Sequence, residues 1–216
     1  MTTTLTCRAV LFDMDGVLTD STVAAERAWT RWAHEYGVDP AEVLRGLHGR
    51  RATDTVRLHV PASAHADALR RINDIETADA GSTTAIPGAR ELVDSLPGNW
   101  ALVTSAPPAL LAVRLAAVGI PLPPVVVNGD DVTRGKPDPE GYLTAARKLG
   151  VPIGECLVFE DSGNGIAAGL AAGAATVVGV GEDALRTPAP VVVRDLRSVR
   201  WAGDGVEVSG ELRRPS

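Results

Sequence analysis

Five short runs in this chain are apolar almost without interruption: Ala9–Phe12, residues 101–103, Val125–Val127, residues 157–159 and Thr176–Val180. None alternates with polar residues as a half-exposed strand would, so each predicts a strand covered on both faces. Between them, apolar residues recur at helical spacing. Residues 89–96 carry Leu92, Val93 and Leu96 on one face, and residues 109–118 carry Leu110, Val113 and Ala117 before Gly119. A third helix is predicted over Glu140–Leu149, with Asp138 as its cap, Pro139 at its first position and Gly150 at its end. Strands alternating with helices predict an α/β fold with a Rossmann-like parallel sheet.

One segment breaks this rhythm. From about Ser21 to Thr84 only helical patterns occur, so an all-helical cap domain is predicted over residues 21–84, inserted into a core formed by 1–20 and 85–216. Trp29, Trp32, Ala33 and Tyr36 form one apolar stripe, and Leu69, Ile72, Ile75 and Glu76 share the face of another helix. Asp39-Pro40-Ala41-Glu42 reads as a capped helix start. Linkers are expected at Asp20 and over 81–87. After Val191–Val193 the pattern weakens. Asp195 is read as the cap of a last helical turn, and Gly203-Asp204-Gly205 as a turn.

Composition narrows the function classes. A formal charge of −6 over 216 residues argues against a nucleic-acid binder. Cys7 and Cys156 stand far apart in sequence and in no metal-binding spacing. The uncharged stretch between Ser162 and Gly181 divides into a small-residue helix and a Val-rich strand, so no membrane span is expected. With Ala9–Phe12 too short for a signal peptide, a cytoplasmic protein is the expectation, and a monomer.

The candidate chemistry lies at the ends of the apolar runs. Asp13 and Asp15 follow the first, two residues apart and able to reach the same mouth of the sheet. Thr104 and Ser105 follow the second, Lys136 follows the third in Gly135-Lys136-Pro137-Asp138, and Glu160 and Asp161 follow the fourth. Open α/β sheets bind ligands at this edge. Any one of these is unremarkable alone: an acidic turn, a hydroxyl cap, a surface lysine. Together they supply hard oxygens for a magnesium ion, donors for phosphoryl oxygens and a fixed positive charge, which is what phosphoryl transfer needs.

In this order the motifs resemble the haloacid dehalogenase (HAD) superfamily of phosphatases, in the subfamily with a helical cap after the first motif. Asp13-Met14-Asp15-Gly16-Val17-Leu18 resembles the first motif, Val103-Thr104-Ser105 the second, Lys136-Pro137 the third and Glu160-Asp161-Ser162 the fourth. The resemblance implies Asp13 as nucleophile, forming an aspartyl-phosphate, and Asp15 as general acid and base. It implies magnesium (Mg2+) held by Asp13, the Asp15 carbonyl and Asp161, with Glu160 acting through a water. Thr104, Ser105 and Lys136 would bind the phosphoryl group. In the cap, residues 26–34 and His48-Gly49-Arg50-Arg51 resemble the bacterial hexose and hexitol phosphatases and the glycerol- and deoxyglucose-phosphate phosphatases. His48, Arg50 and Arg51 are therefore candidates to contact the leaving group of a small phosphorylated metabolite, a sugar or polyol phosphate. The sugar-phosphate mutases of this subfamily carry a His where this chain has Ala25, which favours hydrolysis over mutase chemistry. A phospho-acceptor receiver domain fits less well, because it lacks a helical insert after the first strand. A protein that only binds phosphorylated ligands remains a further alternative.

Overall fold

A computed structural model describes residues 2–213. The chain opens with β1 (Thr2–Thr6) and β2 (Ala9–Phe12), and the two-residue β3 (Thr19–Asp20) leads into a run of helices. These are α1 (Thr22–Tyr36), α2 (Pro40–Leu44), α3 (Ala52–His59) and α4 (His65–Asp79). After β4 (Thr84–Ala85), strands and helices alternate through α5 (Ala89–Ser95), β5 (Trp100–Val103), α6 (Pro108–Val118), β6 (Val125–Val127) and α7 (Glu140–Leu149). The series continues with β7 (Cys156–Glu160), α8 (Gly163–Ala172), β8 (Thr176–Val180) and β9 (Val191–Val193), and ends in β10 (Val199–Trp201) and β11 (Gly205–Ser209).

Six strands form one parallel sheet in the order β6-β5-β2-β7-β8-β9. Every residue of β2, β5 and β7 is buried, because helices cover both faces. The period-two geometry of a strand then deals alternate residues to two separate cores. Val10, Phe12, Leu102, Leu157 and Phe159 join the core under α5 and α6. Ala9, Leu11, Ala101, Val103 and Val158 join the one that contains Tyr142 of α7 and Ile166 of α8. The α/β class expected from the unbroken apolar runs is the one observed.

The helices between β3 and β4 have a third core of their own, built from Ala28, Trp29, Trp32, Val43, Val56, Ala68 and Ile72. The indole N–H of Trp32 donates to the Ala68 carbonyl at 2.9 Å, so its burial leaves no donor unpaired. Asp39 caps α2 through a bond from the Ala41 N–H, with Pro40 at the first position. The two ends of this helical insert are tied together where β3 and β4 pair antiparallel, Asp20 opposite Thr84.

The termini differ from expectation. β1, β11 and β10 form a separate three-stranded antiparallel sheet, of which the sequence reading anticipated only the turn near Gly203. Asp195 does not cap a helix; its carboxylate accepts the Arg197 N–H at 3.0 Å and the chain goes on into β10. Asp138 accepts the N–H of Glu140 at 3.0 Å, but α7 begins one residue later than expected, with Pro139 and not Asp138 at the cap position. Both cysteines are free and buried. No helix among the described residues is long and apolar enough to cross a membrane.

Candidate active site

Four loops at the carboxyl ends of β2, β5, β6 and β7 bring the motif residues together. Asp13 continues β2, its N–H donating to the Phe159 carbonyl at 3.0 Å, and Thr104 likewise extends β5 by donating to Val127 at 2.9 Å. After Asp13 the chain folds back on itself, with Gly16 donating to Thr19 at 2.7 Å. Gly16 has φ +79°, and a side chain there would stand 2.0 Å from Oδ2 of Asp161. The glycine thus serves both the turn and the close approach of the second acid.

Lys136 is the hub. Its Nζ lies 2.5 Å from Oδ1 of Asp13, 2.6 Å from Oε1 of Glu160 and 3.1 Å from the Val103 carbonyl, which uses all three ammonium donors. Glu160 is fully buried, and its oxygens are committed. Oε1 accepts from Lys136 and from the Tyr142 hydroxyl at 3.1 Å, while Oε2 accepts the N–H groups of Asp161 and Ser162 and the Ser162 hydroxyl. These hydrogen bonds fix Lys136 and the Asp161 turn.

Carboxylate oxygens of Asp13, Glu160 and Asp161 lie within 4.8 Å of one another. Opposite these three acids stands the single ammonium of Lys136, so the cluster is deficient in positive charge. The electrostatics record this. Burial, reinforced by Glu160 and Asp15, pushes the Asp13 carboxyl up to about 7 against the opposing pull of Lys136. Asp161 is raised in the same way, by burial and then by Glu160 and Asp13. Burial alone would lower Lys136, but the flanking Asp13 and Glu160 carboxylates outweigh it and hold the ammonium well above its ordinary range. An all-oxygen, anion-rich pocket of this kind fits a hard divalent cation, and Asp13 and Asp161 are the acids whose side chains are free to hold one.

Asp15 is oriented differently. Its Oδ1 accepts from Ser21 at 2.6 Å and from Thr19 at 3.1 Å, and forms an ion pair with Arg114 at 2.9 Å. Asp13, Asp15, Asp161 and Ser105 border a cavity of about 80 Å3 between the core loops and the helical insert. Ala25, Trp29, His48, Arg50 and Glu76 line its far side. Thr104 and Lys136 lie just behind it, around a smaller space shared with Tyr142.

The insert's candidate residues separate into two groups. His48 reaches the cavity, 3.2 Å from Glu26 Oε1, and Arg50 reaches it with no acidic partner among the described residues. Arg51, expected to contact the leaving group, does not border this cavity. Its guanidinium pairs with both oxygens of Asp54 and donates to the carbonyls of Val132, Thr133 and Gly129. Arg51 is thus a latch between insert and core, assisted by the Ser105 hydroxyl on the Gly49 carbonyl at 2.8 Å and the Asn164 amide on the His48 carbonyl at 3.0 Å. Gly49 permits that contact: a side chain there would stand 2.4 Å from Oγ of Ser162.

The sequence reading assigned no role to two charged residues that the structure brings to this site. Arg114 of α6 is buried between Asp15 and Glu76 of α4, whose Oε1 lies 3.3 Å away. Burial, opposed by Arg114 and reinforced by Asp15, pushes the Glu76 carboxyl up to about 7. A signal existed: each is the one charge in an apolar stripe, Arg114 at i+4 from Leu110 and Glu76 at i+4 from Ile72.

A parallel sheet with clustered carboxylates, a bridging lysine and a cavity at its carboxyl edge has the arrangement of a hydrolase. The chain belongs to the haloacid dehalogenase-like hydrolase family, whose model matches residues 7–173. It is 40% identical over 173 residues to hexitol phosphatase A of Escherichia coli strain K12, covering 77% of this chain and 80% of that protein. It is 38% identical over 190 residues to 2-deoxyglucose-6-phosphate phosphatase 1 of Saccharomyces cerevisiae, covering 77% of each. A solved hydrolase from Pseudomonas syringae superimposes with a TM-score of 0.78 at 26% identity, over 88% of this chain and 94% of that one.

Proposed function

We propose that this hydrolase is a magnesium-dependent phosphatase that cleaves a small sugar or polyol phosphate through an aspartyl-phosphate on Asp13. The observation that carries the proposal is the buried Lys136 bridge, 2.5 Å from Asp13 and 2.6 Å from Glu160, beside the free acid Asp161. An ammonium fixed there favours the ionised Asp13, the form able to attack, and offsets charge on an arriving phosphate dianion.

In the first step an oxygen of Asp13 bonds to phosphorus as the bond to the leaving alkoxide breaks. Asp15 gives that alkoxide a proton from Oδ2, the oxygen not engaged by Ser21, Thr19 and Arg114. In the second, water attacks the same phosphorus, Asp15 takes its proton, and the Asp13 carboxylate is released. The Thr104 hydroxyl and the Ser105 N–H are the donors for phosphoryl oxygens. Asp13, Asp161 and the Asp15 carbonyl would hold the magnesium ion, which supplies positive charge to the phosphoryl oxygens when bound.

The substrate class rests on the far wall of the cavity and on the relatives' names. His48 and Arg50 offer hydrogen-bonding groups to hydroxyls, and the helical insert acts as a cap over them. Ala25 at the wall gives no imidazole where the mutases have one, which supports release of phosphate over its return to the sugar.

Phosphate release from a panel of hexitol, deoxyhexose and glycerol phosphates, with magnesium and with excess chelator, tests this reading. Release confined to the magnesium arm and concentrated on a few esters is expected. An isomerised sugar phosphate without free phosphate, or release indifferent to the chelator, overturns it. Asp15→Asn is expected to lower kcat/KM for an alkyl phosphate by about 100-fold or more, and less for p-nitrophenyl phosphate, whose leaving group needs no proton. Equal losses on both esters would remove Asp15 as the general acid.

A further inference from the structure

We propose that Arg114, seated by Glu76 of the cap, is a positioning residue that fixes the Asp15 carboxyl and makes proton transfer to the leaving group depend on docking of α4. The proposal rests on the phosphatase reading and extends it to a residue outside the four motifs.

Arg114 is 4% exposed, on a helix whose other buried positions, Leu110, Leu111 and Leu115, are all apolar. Arginine keeps its charge under any burial, so its presence there is costly unless carboxylates meet it. Two do, and they come from different parts of the fold. One terminal nitrogen pairs with Asp15 on the loop after β2, and the other with Glu76 near the end of α4. The planar fork thus sets one distance to the acid and another to the cap helix, which a point-charge lysine would not do.

Its effect on Asp15 is directional. Arg114, Ser21 and Thr19 all engage Oδ1, and none of them engages Oδ2. That selects the oxygen able to carry the transferable proton. Withdrawal of Arg114 leaves two neutral hydroxyls to hold the carboxyl, and withdrawal of Glu76 leaves Arg114 free to swing onto Asp15 alone. A misplacement of about 1 Å at a reacting group costs on the order of 100-fold. Arg114 also retains a buried Nε without a partner.

The test compares kcat/KM for the alkyl phosphate hydrolysed fastest in the panel with kcat/KM for p-nitrophenyl phosphate. This ratio isolates the step in which the leaving group departs. Arg114→Gln is expected to cost about 10- to 100-fold on the alkyl ester and several-fold less on the aryl ester, and Glu76→Gln to shift the ratio in the same direction by a smaller factor. Losses equal on both esters, the signature of a merely structural role, overturn the proposal, as does a ratio unchanged from the parent. Should Arg114→Gln fail to fold by circular dichroism, the Glu76→Gln ratio decides, since the amide keeps the shape and removes only the charge. A parental protein that releases phosphate from neither ester overturns the phosphatase reading itself. A parental protein active on both, with flat ratios in the variants, overturns the positioning role alone.

Discussion

Asp13→Asn is expected to fold as the parent does and to lose phosphate release from p-nitrophenyl phosphate by roughly three orders of magnitude or more. The amide is close to isosteric, and its oxygen can accept the Lys136 ammonium that Asp13 Oδ1 accepts at 2.5 Å. What it lacks is a carboxylate able to form the acyl phosphate. The substitution also relieves crowding, because Asp13 is held near 7 by burial and by Glu160 and Asp15. In chelator at neutral pH its thermal midpoint should therefore equal or exceed the parent's. Folding by circular dichroism combined with turnover at the parental rate would remove Asp13 as nucleophile.

That set of residues could be read from the sequence because each member sits at the end of an apolar run. In a parallel sheet covered on both faces, such runs have one plausible arrangement, and their carboxyl ends share an edge. The adjacency of Asp13 and Lys136, 123 positions apart, follows from that topology. The Arg114 to Glu76 contact does not. It joins a core helix to a cap helix, and only the docking of one on the other turns two odd charges in apolar stripes into a pair. Arg50 and Arg51 were equivalent in sequence for a similar reason. Arg51 is the residue just before α3, and the direction of the chain there sends it to the core loop while Arg50 faces the cavity. The small terminal sheet was hidden by composition: β1 is four threonines around Leu5, the one residue of that strand in the core. Glu160 shows the opposite limit, since its type and spacing were legible but the saturation of both its oxygens was not.

Lys136→Met is expected to abolish turnover and, unlike Asp13→Asn, to destabilise the protein, by about 3–5 kcal/mol. The ammonium is buried between Asp13 and Glu160 and satisfies both. Its removal leaves two desolvated carboxylates facing an apolar side chain, and breaking a buried pair from one side exposes the full cost of the charges that remain. The deficit has a predictable pH dependence in chelator. A carboxyl whose folded pKa is raised binds its proton more tightly when folded, so it loses stability as pH rises from its unfolded value to its folded one. In the parent that loss from Asp13 runs from roughly 4 to about 7. Without Lys136 the folded value rises further, because the ammonium is among the influences holding it down. Both proteins therefore follow the same Asp13 slope up to about 7, and the variant alone continues downward above it. The gap between the two thermal midpoints should be wider at alkaline pH than at mildly acid pH, as thermal melts across that range would show. A gap constant with pH would mean that Lys136 acts through packing alone. A gap that narrows at alkaline pH would mean that the ammonium does not hold Asp13 in its ionised form, and the activation of the nucleophile would need another source.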